Sequence, residues 1–317
     1  MAIVYKGNKI ALVIPAHNEE RLIGATLERA PETIDRIYVV DDASQDQTAA
    51  IVRKYTAIDP RVELIQHEKN QGVGAAIITG YLQASADDYD IAVVVGGDNQ
   101  MPLEVVEDLL EPIAKGEVDY TKGNRFLMPS VGLEGMPWTR FIGNAILSIM
   151  TKMASGYYKV YDVVDGYTAI TKRAIDLIDW GKAWKGYGYP MDFLVRLNAM
   201  GLRVKDVPRR AIYLEGERQS QIKGIDYALK VAPMMVRDFF WRLFSKYLIR
   251  DFHPLFFFYL FAFIFLPLGV LYGGFLVYQQ WIGEGVTGPR SVVCALMIIM
   301  GIQFMLFAML YDMQESE

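Results

Sequence analysis

Four times in the first hundred residues a short apolar run breaks into a polar turn and then into a helix-like pattern. Residues 10–14 lead into Pro15-Ala16-His17-Asn18-Glu19-Glu20 and an amphipathic run with Leu22, Ile23 and Leu27. Residues 36–40 lead into Asp41-Asp42-Ala43-Ser44-Gln45-Asp46, residues 62–65 into Asn70-Gln71-Gly72-Val73-Gly74, and residues 91–95 into Gly96-Gly97-Asp98-Asn99-Gln100. A half-exposed strand alternates polar and apolar positions, whereas a strand apolar throughout is buried on both faces. Four such strands, separated by helices of about a dozen residues, predict a mostly parallel α/β sheet with helices on both faces. With right-handed crossovers the polar turns share one edge, where open α/β sheets bind ligands. Asn18, Glu19, Asp41, Asp42, Gly72, Asp98 and Gln100 are expected on that rim.

The pattern then loosens. Residues 120–126 read as a further strand, followed by a Gly/Pro-containing loop over 128–137, long enough to act as a lid, and a helix from Thr139 to about Met153. Asp162-Val163-Val164-Asp165-Gly166-Tyr167 reads as a turn before a short strand. Pro190 suits a helix start, with Phe193, Leu194, Leu197 and Met200 on its apolar face, and residues 203–207 read as an edge strand ended by Pro208.

The chain is 52% hydrophobic, and the excess lies at its C-terminus. Residues 255–278 and 291–311 carry no charge, and at 1.5 Å per residue each is about long enough for a ~30 Å hydrocarbon core. The expected organisation is a catalytic domain over 1–222, an amphipathic interfacial helix over 223–253 and a two-span anchor over 254–317. Arg242, Lys246 and Arg250, spaced i, i+4, predict a basic stripe on lipid phosphates, with Phe240, Phe244 and Tyr247 roughly opposite. Those cations also mark the cytoplasmic side, no signal peptide is expected, and the paired spans are compatible with a homo-oligomer.

The totals exclude other chemistry. A net charge of −5 gives no footprint for nucleic acid, and one cysteine with three histidines argues against a disulfide or a zinc site. A metal here is expected to be a hard cation on oxygen. Asp98 and Gln100, alternating along an extended turn, offer two oxygen ligands and leave positions vacant for the diphosphate of a substrate. Asp98 as a simple helix cap is the alternative, and for Asp46 the cap is the preferred reading. Asp41 and Asp42 suit ribose hydroxyls or a base N–H. Asn70-Gln71-Gly72-Val73-Gly74 is similar to a phosphate-cradling loop at a helix N-terminus.

Five motifs in order carry a family resemblance: Ile14 to Glu19, Val39 to Asp46, Asn70 to Ala75, Gly97 to Gln100, and Gly123-Asn124-Arg125. Together they resemble family 2 glycosyltransferases of the GT-A (nucleotide-diphospho-sugar transferase) fold, above all polyprenyl-phosphate enzymes of the dolichyl-phosphate mannose or glucose synthase type. The resemblance spans residues 10–208, and the paired C-terminal spans match membrane-anchored members.

It implies that Pro15, Ala16, Asn18, Glu19, Gly72 and Asp41 or Asp42 hold a nucleotide sugar. Asp98 stands at the second aspartate of the family's Asp-x-Asp metal motif and Gln100 two residues on, implying Mg²⁺ or Mn²⁺; Gly96 stands where the first aspartate usually sits. Arg125 and Arg140 fall where relatives bring arginines to phosphates, with surface ion pairs as the alternative, and Lys223 is a further cation for an acceptor phosphate. Asp165-Gly166-Tyr167 replaces the usual Ser-Gly-Phe. Asp192 lies near the base of relatives that act on hydroxyls, but a phosphate dianion needs no base, so it is expected to orient the sugar or a cation. The implied activity is inverting transfer from GDP-mannose or a UDP-hexose to polyprenyl (dolichyl) phosphate, by a membrane-anchored protein whose catalytic domain is cytoplasmic. A processive polysaccharide synthase would need more spans and a Gln-x-x-Arg-Trp motif. An inactive sugar-nucleotide-binding membrane protein is the alternative that Gly96 favours.

Overall fold

The computed structural model describes residues 5–127, 138–210 and 224–315. In chain order the N-terminal part runs β1 (Ile10–Ala16), α1 (Ile23–Glu28), β2 (Arg36–Asp41), α2 (Thr48–Ile58), β3 (Val62–Gln66), α3 (Val73–Ala86) and β4 (Ile91–Val94). It continues through α4 (Val106–Ala114), β5 (Tyr120–Asn124), α5 (Trp138–Ser155), β6 (Thr168–Thr171), α6 (Lys172–Leu177), α7 (Tyr189–Ala199) and β7 (Val204–Pro208). Next come α8 (Gly224–Arg242), a π-helix (Leu243–Arg250), α9 (Pro254–Trp281) and α10 (Gly288–Gln314). The chain divides into two compact units, Met1–Asp238 and Phe239–Glu317.

The first unit is built on a seven-stranded sheet in the order β3-β2-β1-β4-β6-β5-β7. β1 pairs in parallel with β2 and β4, as β2 does with β3 and β5 with β7; β6 runs against β4 and β5. The four expected parallel strands therefore form, and β7 is an edge strand as expected, with β3 at the opposite edge. Because β6 alone is reversed, its N-terminal end shares an edge with the C-terminal ends of the other six.

β1 shows why its strand is apolar throughout. Ile10, Leu12 and Ile14 join Ile23, Leu27, Val52, Leu109 and Leu110 in one core. From the other face Gly80 of α3 sits so close to Val13 that an added Cβ would lie 2.2 Å from Cγ1. Beyond α3, an aromatic cluster of Tyr81, Trp180, Tyr189 and Phe193 packs ring against ring, Trp180 and Phe193 at 4.8 Å. Both faces are thus covered, as a parallel sheet requires.

In the second unit α9 and α10, of 28 and 27 residues, are long and apolar enough to cross a membrane. They pack closely through glycine: a Cβ on Gly301 would lie 2.7 Å from the Leu266 amide nitrogen. The basic stripe expected on lipid is corrected here. Residues 243–250 form a π-helix, so the i, i+4 spacing of an α-helix no longer aligns the three cations. Arg242 is fully buried in a bidentate pair with Asp312 of α10, at 2.7 Å on both arms. Tyr247 Oη also donates to Asp312, at 2.9 Å. Lys246 is buried too, and that burial lowers its ammonium pKa to about 8. Arg250 is partly exposed and pairs with Asp251. Beside that exposed pair the outward residues are apolar: Phe240, Phe244, Ile249 and Phe252 are each more than half exposed.

Candidate active site

The turn after β4 is tight where an extended one was expected. Asn99 is left-handed, at φ 54°, and Asp98 Oδ1 accepts the Gln100 N–H at 3.2 Å. Helix α1 staples this turn down, Thr26 Oγ1 donating to the Gly97 carbonyl at 3.2 Å and Arg29 bonding Asn99. Burial raises the Asp98 carboxyl above its ordinary pKa, opposed by N–H donors of the turn and by the Arg209 charge. A Cβ on Gly96 would lie 2.9 Å from Asp98 Oδ1, so a side chain there requires Asp98 to turn away. Among the described residues no three His, Cys, Asp or Glu side chains converge on a cation site. Asp98 and Gln100 supply one carboxylate and one amide oxygen. That donor set fits a hard divalent cation whose other ligands come from a bound diphosphate.

The turns after β1, β2 and β3 are locked together. The Ala16 carbonyl accepts the Asp42 N–H at 2.8 Å, and the Pro15 carbonyl accepts that of Gly97 at 3.3 Å. Asn18 is left-handed, at φ 57°; its Oδ1 accepts from Gln45 N at 2.8 Å and its own N–H goes to Ser44 Oγ. Glu19 donates its N–H to Thr48 Oγ1. Asp41 takes the Ser44 N–H and the Gln66 amide. Asp46 stands one residue before the N-cap, Gln47, and accepts from Thr48 N at 2.9 Å.

Asp42 is a buried hub. Its oxygens bond His67 Nδ1 at 2.7 Å, Gln71 N at 2.8 Å and Gly72 N at 2.7 Å. The phosphate cradle read from Asn70 to Gly74 is corrected by these bonds. With the Gln71 and Gly72 N–H groups on Asp42 and those of Gly74 and Ala75 on the Lys185 carbonyl, these four donors at the helix N-terminus are taken up within the protein. The glycines are there for close approach: a Cβ on Gly72, at φ 96°, would lie 2.5 Å from the Lys185 oxygen, and one on Gly74 2.6 Å from that of Trp184.

At the ends of β5 and β7 stands a buried charge cluster. Arg125 grips Asp162 through Nε at 2.6 Å and Nη2 at 2.8 Å, and Asp165 lies 3.8 Å from the same Nε. Burial disfavours the Asp162 carboxylate, but Arg125 together with the Lys122 charge outweighs it and holds the pKa below the ordinary value. Asp165 Oδ2 accepts from Arg209 Nε at 2.5 Å. On α7, Asp192 accepts from Trp184 N at 2.9 Å and from Arg196 Nε at 2.7 Å. Beside it Asp238 is raised to about 6, by burial first and then by the Asp192 charge. Arg140 lies on α5, with its side chain outside those described; Lys223 and the loop over 128–137 lie outside the described residues.

A family model, Glycosyl transferase family 2, matches residues 11–178, more than half of the chain. The chain belongs to glycosyl transferase family 2. It is 32% identical over 219 residues to a UDP-N-acetylglucosamine–dolichyl-phosphate N-acetylglucosaminyltransferase of Methanococcus voltae, covering 65% of this chain and 86% of that one. It is 26% identical to a polyprenol monophosphomannose synthase of Mycolicibacterium smegmatis, covering 65% and 78%. In fold it matches glucosyl-3-phosphoglycerate synthase of Mycobacterium tuberculosis, crystallised with Mg²⁺ and UDP, at a TM-score of 0.53 and 18% identity over 74% of this chain and 79% of that one.

On this glycosyltransferase's sheet edge the predicted residues of the β1, β2, β3 and β4 turns come together, with Arg125 at the end of β5. Sequence reasoning missed His17, which joins the Asp42 carbonyl at 2.8 Å and Asn70 at 3.2 Å. It also missed Asp162 and Arg209. The available signals were slight: a carboxylate three residues before Asp165, and an arginine directly after the proline that ends an edge strand.

Proposed function

We propose that this family 2 glycosyltransferase is a membrane-anchored, inverting enzyme that moves a sugar from a nucleotide sugar to polyprenyl phosphate, giving a lipid-linked monosaccharide. The observation that carries this is one chain holding both a family 2 sheet edge and two helices long enough to span a bilayer. The names of its relatives, dolichyl-phosphate and polyprenol enzymes, support the same acceptor. In this reading residues 1–222 are catalytic and cytoplasmic, 223–253 lie at the interface and 254–317 anchor the chain. The outward Phe240, Phe244, Ile249 and Phe252 enter the headgroup boundary.

The nucleoside sits over the β1 and β2 turns, at Pro15, Ala16, Asn18, Glu19 and Asp41. Asp42 and Gly72 hold the shape of that floor, because the Asp42 oxygens bond His67 and the Gln71 and Gly72 amides. Asp98 and Gln100 would hold Mg²⁺ or Mn²⁺, which would supply positive charge to the leaving diphosphate. The acceptor phosphate, a dianion at neutral pH, attacks the anomeric carbon in line. A C–O bond forms to that oxygen, the bond to the diphosphate breaks, and its electron pair leaves with the diphosphate. No proton moves, so no general base is needed. Asp192, held by Arg196 and the Trp184 N–H, shapes the wall of the site. Arg125 and Arg140 meet phosphate, and Lys223 the acceptor.

The test is transfer by purified protein in detergent, with UDP-N-acetylglucosamine and a panel of labelled UDP- and GDP-sugars, polyprenyl phosphate, and Mg²⁺ or Mn²⁺. Label in the organic phase that disappears in Asp98→Ala is the expected result. Donor binding without any lipid-linked label would instead favour an inactive nucleotide-sugar-binding protein.

A further inference from the structure

Arg209 is a buried guanidinium in a place built for it. Its backbone N–H bonds the Asn124 carbonyl at 3.1 Å, fixing it where β7 leaves β5. Its side chain crosses β5 over Gly123, where a Cβ would lie 2.9 Å from its Cδ. The guanidinium stands 5.9 Å from the Tyr167 ring centre, and the Tyr167 hydroxyl donates to the Pro102 carbonyl at 2.9 Å, tying the cluster to the segment after Asp98. Nε is on Asp165 and Nη1 on the Arg210 carbonyl at 3.2 Å; Nη2 takes part in neither bond.

Arg125 repeats the arrangement, its Nε edge turned to Asp162 and toward Asp165. Asp165 thus lies between two guanidiniums, each with its inner edge on a buried carboxylate. Both are on the edge that carries Asp98. Such anchoring fixes a guanidinium in place before any substrate arrives, so little orientational freedom is lost when it binds.

We propose that Arg209 is a substrate-binding residue of the transfer reaction, its Nη2 donating to a phosphate oxygen beside Asp98, with Asp165 as the positioning residue that aims it. This rests on the functional reading above. The phosphate chemistry is shared by two sources, the diphosphate of the donor and the monophosphate of the acceptor.

The experiment compares wild type with Arg209→Lys, Arg209→Met and the double variant Arg209→Met/Asp165→Asn. The double variant removes the carboxylate that the single one leaves buried with only the more distant Arg125 guanidinium beside it, so it is the one expected to fold like wild type. KM and kcat are measured for UDP-N-acetylglucosamine at saturating polyprenyl phosphate, and for polyprenyl phosphate at saturating donor. Loss of a charge-assisted hydrogen bond predicts a KM raised about 10- to 100-fold in the folded double variant, partly recovered by lysine. A rise for the donor names the diphosphate, and a rise for the acceptor the monophosphate. A double variant with wild-type melting and both KM values within twofold of wild type overturns the proposal, because an arginine that only neutralised Asp165 would be dispensable once Asp165 is neutral. If wild type transfers no sugar at all, the functional reading fails separately. Calorimetric titration of the same proteins with UDP, GDP and inorganic phosphate then decides: tenfold weaker binding to the double variant supports Arg209 as a phosphate ligand, and equal affinity overturns it.

Discussion

Replacing Asp312 by Asn should unfold the helical hairpin of the second unit far more readily than its single-atom change suggests. Asp312 and Arg242 are both fully buried, joined by two bonds of 2.7 Å, with the Tyr247 and Tyr259 hydroxyls at 2.9 and 3.4 Å from the carboxylate. Removing one partner strands a buried charge, which costs about 3–5 kcal/mol. For a unit of this size that corresponds to a fall in Tm of about 12 °C or more. Arg242→Met should behave likewise. Arg242→Met/Asp312→Leu, which strands no charge but leaves the Tyr247 and Tyr259 hydroxyls without their acceptor, should melt above either single variant. The assay is provided by the chain itself. Cys294 is its single cysteine and is buried, with Sγ on the Gly269 carbonyl at 3.4 Å. A fluorogenic maleimide added during a thermal ramp therefore reports opening of α9 from α10 alone. Single variants melting within 2 °C of wild type, or a double variant melting as low as either single, would refute the reasoning.

Three further outcomes are expected. Between about pH 4 and 6 the folded chain keeps a proton on Asp238 that the unfolded chain has released, so stability falls as pH rises through that window, by roughly 2–3 kcal/mol at 1.36 kcal/mol per pH unit. Asp238→Asn should remove that slope, its Tm gaining on wild type from pH 4 to 7; parallel curves would count against it. Gly72→Ala, at φ 96° with a Cβ 2.5 Å from the Lys185 oxygen, should lose about 3 kcal/mol in denaturant melts. Gly96→Ala pushes on Asp98 Oδ1 alone, so kcat/KM should fall about tenfold, a barrier change of about 1.4 kcal/mol, with little change in Tm.

The parallel half of the sheet was legible because its cause is local: runs such as residues 91–95 have no polar position to expose. The reversal of β6 was not, since strand direction depends on pairing with β4 and β5 rather than on its own four residues. The rim residues were found for the same reason as the strands that carry them. Their roles were harder to read. Gly72 and Gly74 are similar to a phosphate loop, but what demands them are the Lys185 and Trp184 carbonyls, more than a hundred residues later. Asp42 was read as a ligand group, whereas its oxygens are engaged by His67, Gln71 and Gly72. Arg242 and Lys246 were placed on the outside because Asp312, 70 residues beyond Arg242, leaves no trace in the helical spacing.

The inward turn of those two cations bears on which bilayers the proposed anchor would enter. A surface held by exposed lysine and arginine prefers anionic lipid and is released by salt, since such attraction fades within a Debye length of about 8–10 Å. Here Arg242 is neutralised by Asp312 and Arg250 lies beside Asp251, while Phe240, Phe244, Ile249 and Phe252 face outward. Attachment through such a surface follows apolar area rather than headgroup charge. The chain should therefore reconstitute as readily into zwitterionic vesicles as into anionic ones, and at high ionic strength as at low.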